Sequence, residues 1–88
     1  MVRAYVARGF VYVETEKYDR ALASYQRAIE LDSRHAGAYY YLGLVLVKQG
    51  NKQKAIVNFK TAANLARLQG KSQLKRNALN ELNRLQQK

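Results

Sequence analysis

Ala21-Leu22-Ala23-Ser24-Tyr25-Gln26-Arg27-Ala28 returns 34 residues later as Ala55-Ile56-Val57-Asn58-Phe59-Lys60-Thr61-Ala62. In each copy two alanines bracket an aromatic residue at helical spacing, so all three share one face of a helix. Small residues there let a second helix come close, and the ring drops into the gap between them. The same offset aligns Ala4 with Ala38, Tyr5 with Tyr39, Gly9 with Gly43, Val11 with Val45, Val13 with Val47 and Leu31 with Leu65. So many identities in one register mark an internal repeat.

Working outward, Val2 to about Thr15 reads as a first helix. Tyr5, Gly9 and Tyr12 lie on one face of it, with Val6, Phe10 and Val13 as a second apolar stripe. Glu16-Lys17 turns the chain into a helix from Tyr18 to Leu31, with Ala21, Leu22, Tyr25, Ala28, Ile29 and Leu31 inward and Arg20, Arg27 and Glu30 outward. Asp32-Ser33-Arg34-His35 is the break between repeats, and Ser33 is the expected N-cap of the next helix. That helix runs from Ala36 to about Gln49 and carries Tyr39-Tyr40-Tyr41, three rings that cannot all enter one core. Gly50-Asn51 is a stop and a start, the glycine taking the left-handed position and the asparagine capping the helix from Lys52 to Leu68. After Gly70, residues 71 to 87 form a fifth helix with Leu74, Ala78, Leu82 and Leu85 along one side.

Two units of this kind resemble the tetratricopeptide repeat (TPR) family. Its pattern is a helix A with large-x-x-large-Gly/Ala-x-x-aromatic, a short turn, and a helix B with Ala-x-x-x-aromatic-x-x-Ala. The first unit supplies Tyr5, Gly9, Tyr12, Ala21, Tyr25 and Ala28; the second supplies Tyr39, Leu42, Gly43, Leu46, Ala55, Phe59 and Ala62. Arg8 replaces a large apolar residue, and the prolines expected near Ser33 and Arg67 are missing. The resemblance implies an all-α helical repeat, an α-α superhelix of five antiparallel helices in a single domain spanning 1-88. Repeat one covers 2-35, repeat two 36-69, and a capping helix 70-88.

The 88 residues are close to the size at which one core is marginal, so the stack is expected to need its cap or a partner. Without cysteine there are no disulfides, thiolate metal sites or thiol nucleophiles. No apolar run approaches the roughly 20 residues of a membrane span. Met1-Val2-Arg3 lacks the features of a signal peptide, so a cytoplasmic setting is expected. Catalytic chemistry is nearly absent. His35 sits in a turn beside Arg34 with no carboxylate or hydroxyl placed to make it a base, and reads as a solvated turn residue. Glu14, Glu16 and Asp19 match no calcium-loop spacing. No enzyme activity, metal or cofactor is expected.

Charge is the second strong feature. The chain carries a net +10, with six basic and five acidic groups in residues 1 to 35 but ten basic groups against Glu81 alone in residues 36 to 88. Solubility accounts for such a surface without any partner. The functional readings are an acidic protein partner, then an anionic membrane surface, then nucleic acid; no basic run resembles a groove-reading helix, and the pattern of RNA-binding pentatricopeptide relatives is not seen. The two-carboxylate clamp with which some TPR domains hold a chaperone tail maps, in the repeat frame, onto Val6, Phe10, Tyr41, Lys71 and Lys75. Only the two lysines fit, so that clamp cannot form, but another acidic ligand can meet a basic rim of Lys48, Lys71 and Lys75.

The resemblance also places certain helix-A positions on the concave surface. Here these are Val6, Phe10 and Val13, then Tyr40, Leu44 and Val47, then Leu74 and Ala78 from the cap. Together they make one continuous apolar trough. Burying one such valine, leucine or phenylalanine is worth roughly 1.5 to 3 kcal/mol, so something should cover the row. A protein-interaction module or scaffold follows, its groove taking an amphipathic helix or apolar segment of a partner, or the same face of a second copy in a homodimer. The alternative is a tighter superhelix in which the cap folds inward and buries part of the row.

Overall fold

The computed structural model describes residues 1–87, and those residues form five α-helices and no strand. They are α1 Val2–Glu14, α2 Tyr18–Leu31, α3 Ala36–Lys48, α4 Lys52–Leu68 and α5 Ser72–Gln86. Lys88, the last residue of the expected capping segment, lies outside the described residues. Helix ends fall within one residue of those expected from the sequence. Each helix packs on the next in the chain, and α5 also reaches back to α3. No helix among the described residues is long and apolar enough to cross a membrane.

Three helices stop in the same way. Lys17 N–H reaches Tyr12 O at 2.8 Å, Asn51 N–H reaches Leu46 O at 2.8 Å, and Lys71 N–H reaches Ala66 O at 2.8 Å. Each bond closes a turn around a residue in the left-handed region: Glu16 at φ 59°, Gly50 at 79° and Gly70 at 71°. Glu16 therefore stands in the place that Gly50 holds one repeat later, without a glycine's freedom. Asn51 caps α4 as expected, its Oδ1 accepting from Lys54 N–H at 3.3 Å.

Ser33 does not cap α3; His35 does, its Nδ1 accepting from Ala38 N–H at 3.0 Å. The physical reason is the preceding turn. The Asp32 carboxylate takes the Arg34 N–H at 3.1 Å, which bends the chain through Ser33 and leaves His35 in extended backbone just before the first helical residue. His35 is thus half-buried and structural, not merely solvated. The Ser33 carbonyl oxygen instead accepts from the Tyr39 hydroxyl at 3.0 Å. Two further side chains tie the repeats at their turns, Gln49 donating to Asp19 Oδ1 at 2.8 Å and Gln69 to Arg34 O at 2.7 Å.

The core follows the repeated motif. Ala21, Ala28, Ala55 and Ala62 are fully buried, and the rings of Tyr25 and Phe59 lie across the backbones of Gly9 and Gly43. A Cβ on Gly43 would stand 2.7 Å from the Phe59 ring, and one on Gly9 would collide with Tyr25 in the same way. The glycines are helical, so close approach and not unusual backbone geometry requires them. The fifth helix extends this core: Leu82 joins the main cluster, and Ala78 packs with Ala62 and Ala63.

Candidate functional site

A cleft of about 460 Å³ opens between α1, α3 and α5. Phe10 and Val13 come from α1, Tyr41, Leu44, Val45 and Val47 from α3, and Tyr25 of α2 lies between them at the floor. Each helix presents these residues at three- and four-residue spacing, so one edge of α1 and one of α3 face the same space. Phe10 is 41% exposed and Val47 37%, so apolar side chains of both helices meet solvent at the cleft. The Phe10 ring is held edge-on by Tyr41 at 4.6 Å between centroids, and Tyr25 stands 5.8 Å from Tyr41. Such aromatic contacts add to burial and fix ring orientation, so the wall is stiff.

The structure brings together half of the expected row. Phe10, Val13, Leu44 and Val47 line the cleft, and Lys48 stands at its mouth. Val6 and Ala78 do not belong to an open surface: they are 8% and 0% exposed and form part of the core. Val6 is one turn closer to the start of α1 and packs into the main cluster, while Ala78 is pressed against α4. Tyr40 is half-buried, its ring 5.7 Å from that of Phe59, and Leu74 is half-buried outside the cleft lining. The trough is therefore interrupted. The fifth helix folds inward, covers part of the row, and then walls the remainder with Glu81 and Arg84.

The basic rim is likewise divided. Lys71 and Lys75 do not border the cleft; Lys75 lines a separate shallow depression with Ser72, Arg76, Leu79 and Asn80. At the cleft itself Lys48 and Arg84 are matched by Glu14 and Glu81, so the four charges cancel. Arg84 and Glu81 pair at 3.3 Å. Burial raises the Tyr40 phenol above its ordinary range and Glu81 adds to this, with Arg84 pulling the other way. Burial also pushes the Tyr25 phenol up to about 12, Tyr41 adding a smaller part.

Sequence reasoning missed Tyr25, Glu14 and the α5 wall as parts of this site. Glu14 was legible, since it is the partner of Lys48 at the 34-residue offset. Arg8, which breaks the motif in the first repeat, lies outward with its guanidinium 5.3 Å from the Tyr5 ring centre. Among the described residues no three histidine, aspartate or glutamate side chains gather to hold a metal ion.

A family model described as TPR repeat matches residues 3–50, and one described as tetratricopeptide repeat matches residues 36–68. The chain is 41% identical over 61 residues to Protein bimA of Emericella nidulans, covering 69% of this chain and 8% of that protein. It is 34% identical over 62 residues to Anaphase-promoting complex subunit 3 of Schizosaccharomyces pombe, covering 70% and 9%. With human Mitochondrial import receptor subunit TOM70 it shares 38% over 64 residues, covering 72% and 10%. The chain thus spans a tenth or less of these relatives. Among solved structures, a tetratricopeptide repeat domain protein from Salinibacter ruber superposes with a TM-score of 0.90 at 20% identity, over 98% of this chain and 87% of that one. A protein from Bordetella parapertussis gives 0.86 at 26% identity, over 97% and 74%.

Proposed function

Because the chain belongs to the tetratricopeptide repeat family, we propose that it is a protein-interaction module that seats an apolar helical segment of a partner in the cleft between α1, α3 and α5. The observation that supports this reading is the row Phe10, Val13, Leu44 and Val47, which the fold leaves open beside a stiff aromatic wall. An amphipathic helix offers apolar side chains at matching three- and four-residue spacing, and seating one Leu-sized side chain contributes roughly 1.5 to 3 kcal/mol before association costs. The names of two relatives, a complex subunit and a receptor subunit, favour assembly over catalysis.

Replacing Phe10 and Leu44 together with Asp tests the reading. Circular dichroism should retain the helical signal, while crosslinking to partners, or self-association seen by sedimentation if the occupant is a second copy, should disappear. Unfolding of the double variant would assign the row to the core and end the proposal.

The uneven charge supports a second surface rather than a second function. Lys71 and Lys75 lie away from the cleft, and the only acid beyond residue 35 is already paired with Arg84. This body favours acidic partners and steers them during encounter. Pure charge binding, to nucleic acid or an anionic surface, would fall steeply with salt; seating in the apolar cleft would not.

A further inference from the structure

The equivalent aromatic residues of the two repeats differ by one oxygen atom. Phe59 lies over Gly43 and is flanked by the Tyr40 ring. Its counterpart over Gly9 is Tyr25, which lines the open cleft. Tyr25 is 1% exposed, yet among the described residues no group hydrogen-bonds to its hydroxyl. The oxygen is not sealed off, since among the described residues no buried side-chain oxygen lacks a partner. The hydroxyl therefore reaches solvent and is free to donate in the cleft, which the phenylalanine that the fold accepts at position 59 could not do. Burial keeps the phenol protonated, so it offers a donor.

We infer that Tyr25 Oη reads a side-chain amide, glutamine or asparagine, which the bound segment inserts between its apolar anchors, the amide oxygen accepting the phenol's hydrogen bond. The inference rests on the cleft being the binding site. A helix has spent its interior backbone carbonyls on its own hydrogen bonds, so an acceptor that reaches the floor must be the tip of a side chain. Serine and threonine carry their oxygen directly on Cβ, the shortest reach of any polar side chain. A carboxylate would be stripped of water with a single donor to receive it, and the four charges at the mouth cancel and give it no attraction. A neutral amide needs less, and its NH₂ group can turn toward the water or the carboxylates at the rim.

The test is a displayed library of one amphipathic helix, two leucine anchors fixed and the positions between them randomised, selected against the whole chain and against Tyr25→Phe. Glutamine or asparagine should be enriched at one position on the unaltered chain and lose its enrichment on the variant. The best synthetic peptide should bind Tyr25→Phe about tenfold more weakly, and changing its amide residue to leucine should cost the unaltered chain a similar factor. The peptide change keeps the measurement decisive even if the protein variant were to unfold. Selected helices that need Phe10, judged by loss of binding to Phe10→Asp, but carry only apolar residues or a carboxylate would overturn the amide reading and leave the cleft reading standing. Selected helices indifferent to Phe10→Asp, or no selected helix at all, overturn both.

Discussion

Glu16 holds a φ of 59° where Gly50 holds 79° at the equivalent stop of the second repeat. A side chain in the left-handed region costs about 1 to 2 kcal/mol, and glycine returns part of that as unfolded-state freedom. Glu16→Gly should therefore raise stability by about 0.5 to 1 kcal/mol in urea melts, and Gly50→Glu should lower it at least as much. The glycines inside the helices behave in the opposite sense. Gly43→Ala improves helix propensity by up to about 1 kcal/mol but drives a methyl group into the Phe59 ring, so a net loss of roughly 1 to 3 kcal/mol is expected. Tyr25 gives a pH signature. Its phenol titrates near 10 when unfolded and at about 12 when folded, so the folded state holds the proton more tightly. That contribution is complete below pH 10 and is lost as pH rises from 10 through 12. Urea midpoints at pH 9 and pH 11.5 should diverge less in Tyr25→Phe than in the unaltered chain; equal divergence would show that the phenol is not desolvated.

The helix pair is held by contacts that the repeated motif names directly. Ala21 and Ala55 have no exposed surface, so a leucine at either must force its hairpin apart. Each substitution should destabilise by about 1 to 3 kcal/mol in thermal melting, and an unmoved melt would disprove the close helix contact. These alanines were legible from sequence because small residues at helical spacing around a ring have few other uses, and the five helices followed from them. The cleft was legible only in half. Phe10, Val13, Leu44 and Val47 share a stripe whose period is visible in the chain, but the tilt of α5 decides how far that stripe stays open. Ala78 and Leu82 both read as one side of an amphipathic helix, and nothing in their spacing says that pressing them into the core turns Glu81 and Arg84 toward α1 and α3. His35 eluded the sequence for a related reason. Serine is the commoner cap, and only the bend made by the Asp32 carboxylate moves the helix start past it. Removing the His35 ring as Ala should cost about 1 kcal/mol, whereas Ser33→Ala should cost little.

The molecule as a whole separates charge from shape. The described residues measure 30 × 29 × 18 Å, and on the proposed function a long-range field and a local cleft would act on a partner at different moments of one encounter. The net +10 is carried largely beyond residue 35, while the charges at the cleft mouth sum to zero. Field strength falls off over about 10 Å at 0.1 M salt, so on the proposed function the basic body would govern approach and apolar contact the seated state. Variants of the two surfaces should therefore split kinetically. Reversing Lys71 and Lys75 to Glu should slow association with an acidic partner several-fold at low salt and leave dissociation nearly unchanged, the difference vanishing as salt is raised. Phe10→Asp should do the reverse, speeding dissociation with little effect on the salt dependence of association. Stopped-flow association at two ionic strengths distinguishes them. If the lysine variant leaves association at low salt untouched, those lysines serve solubility and the acidic-partner preference is lost; if it accelerates dissociation instead, the basic surface is itself part of the seated interface and the separation of charge from shape is wrong.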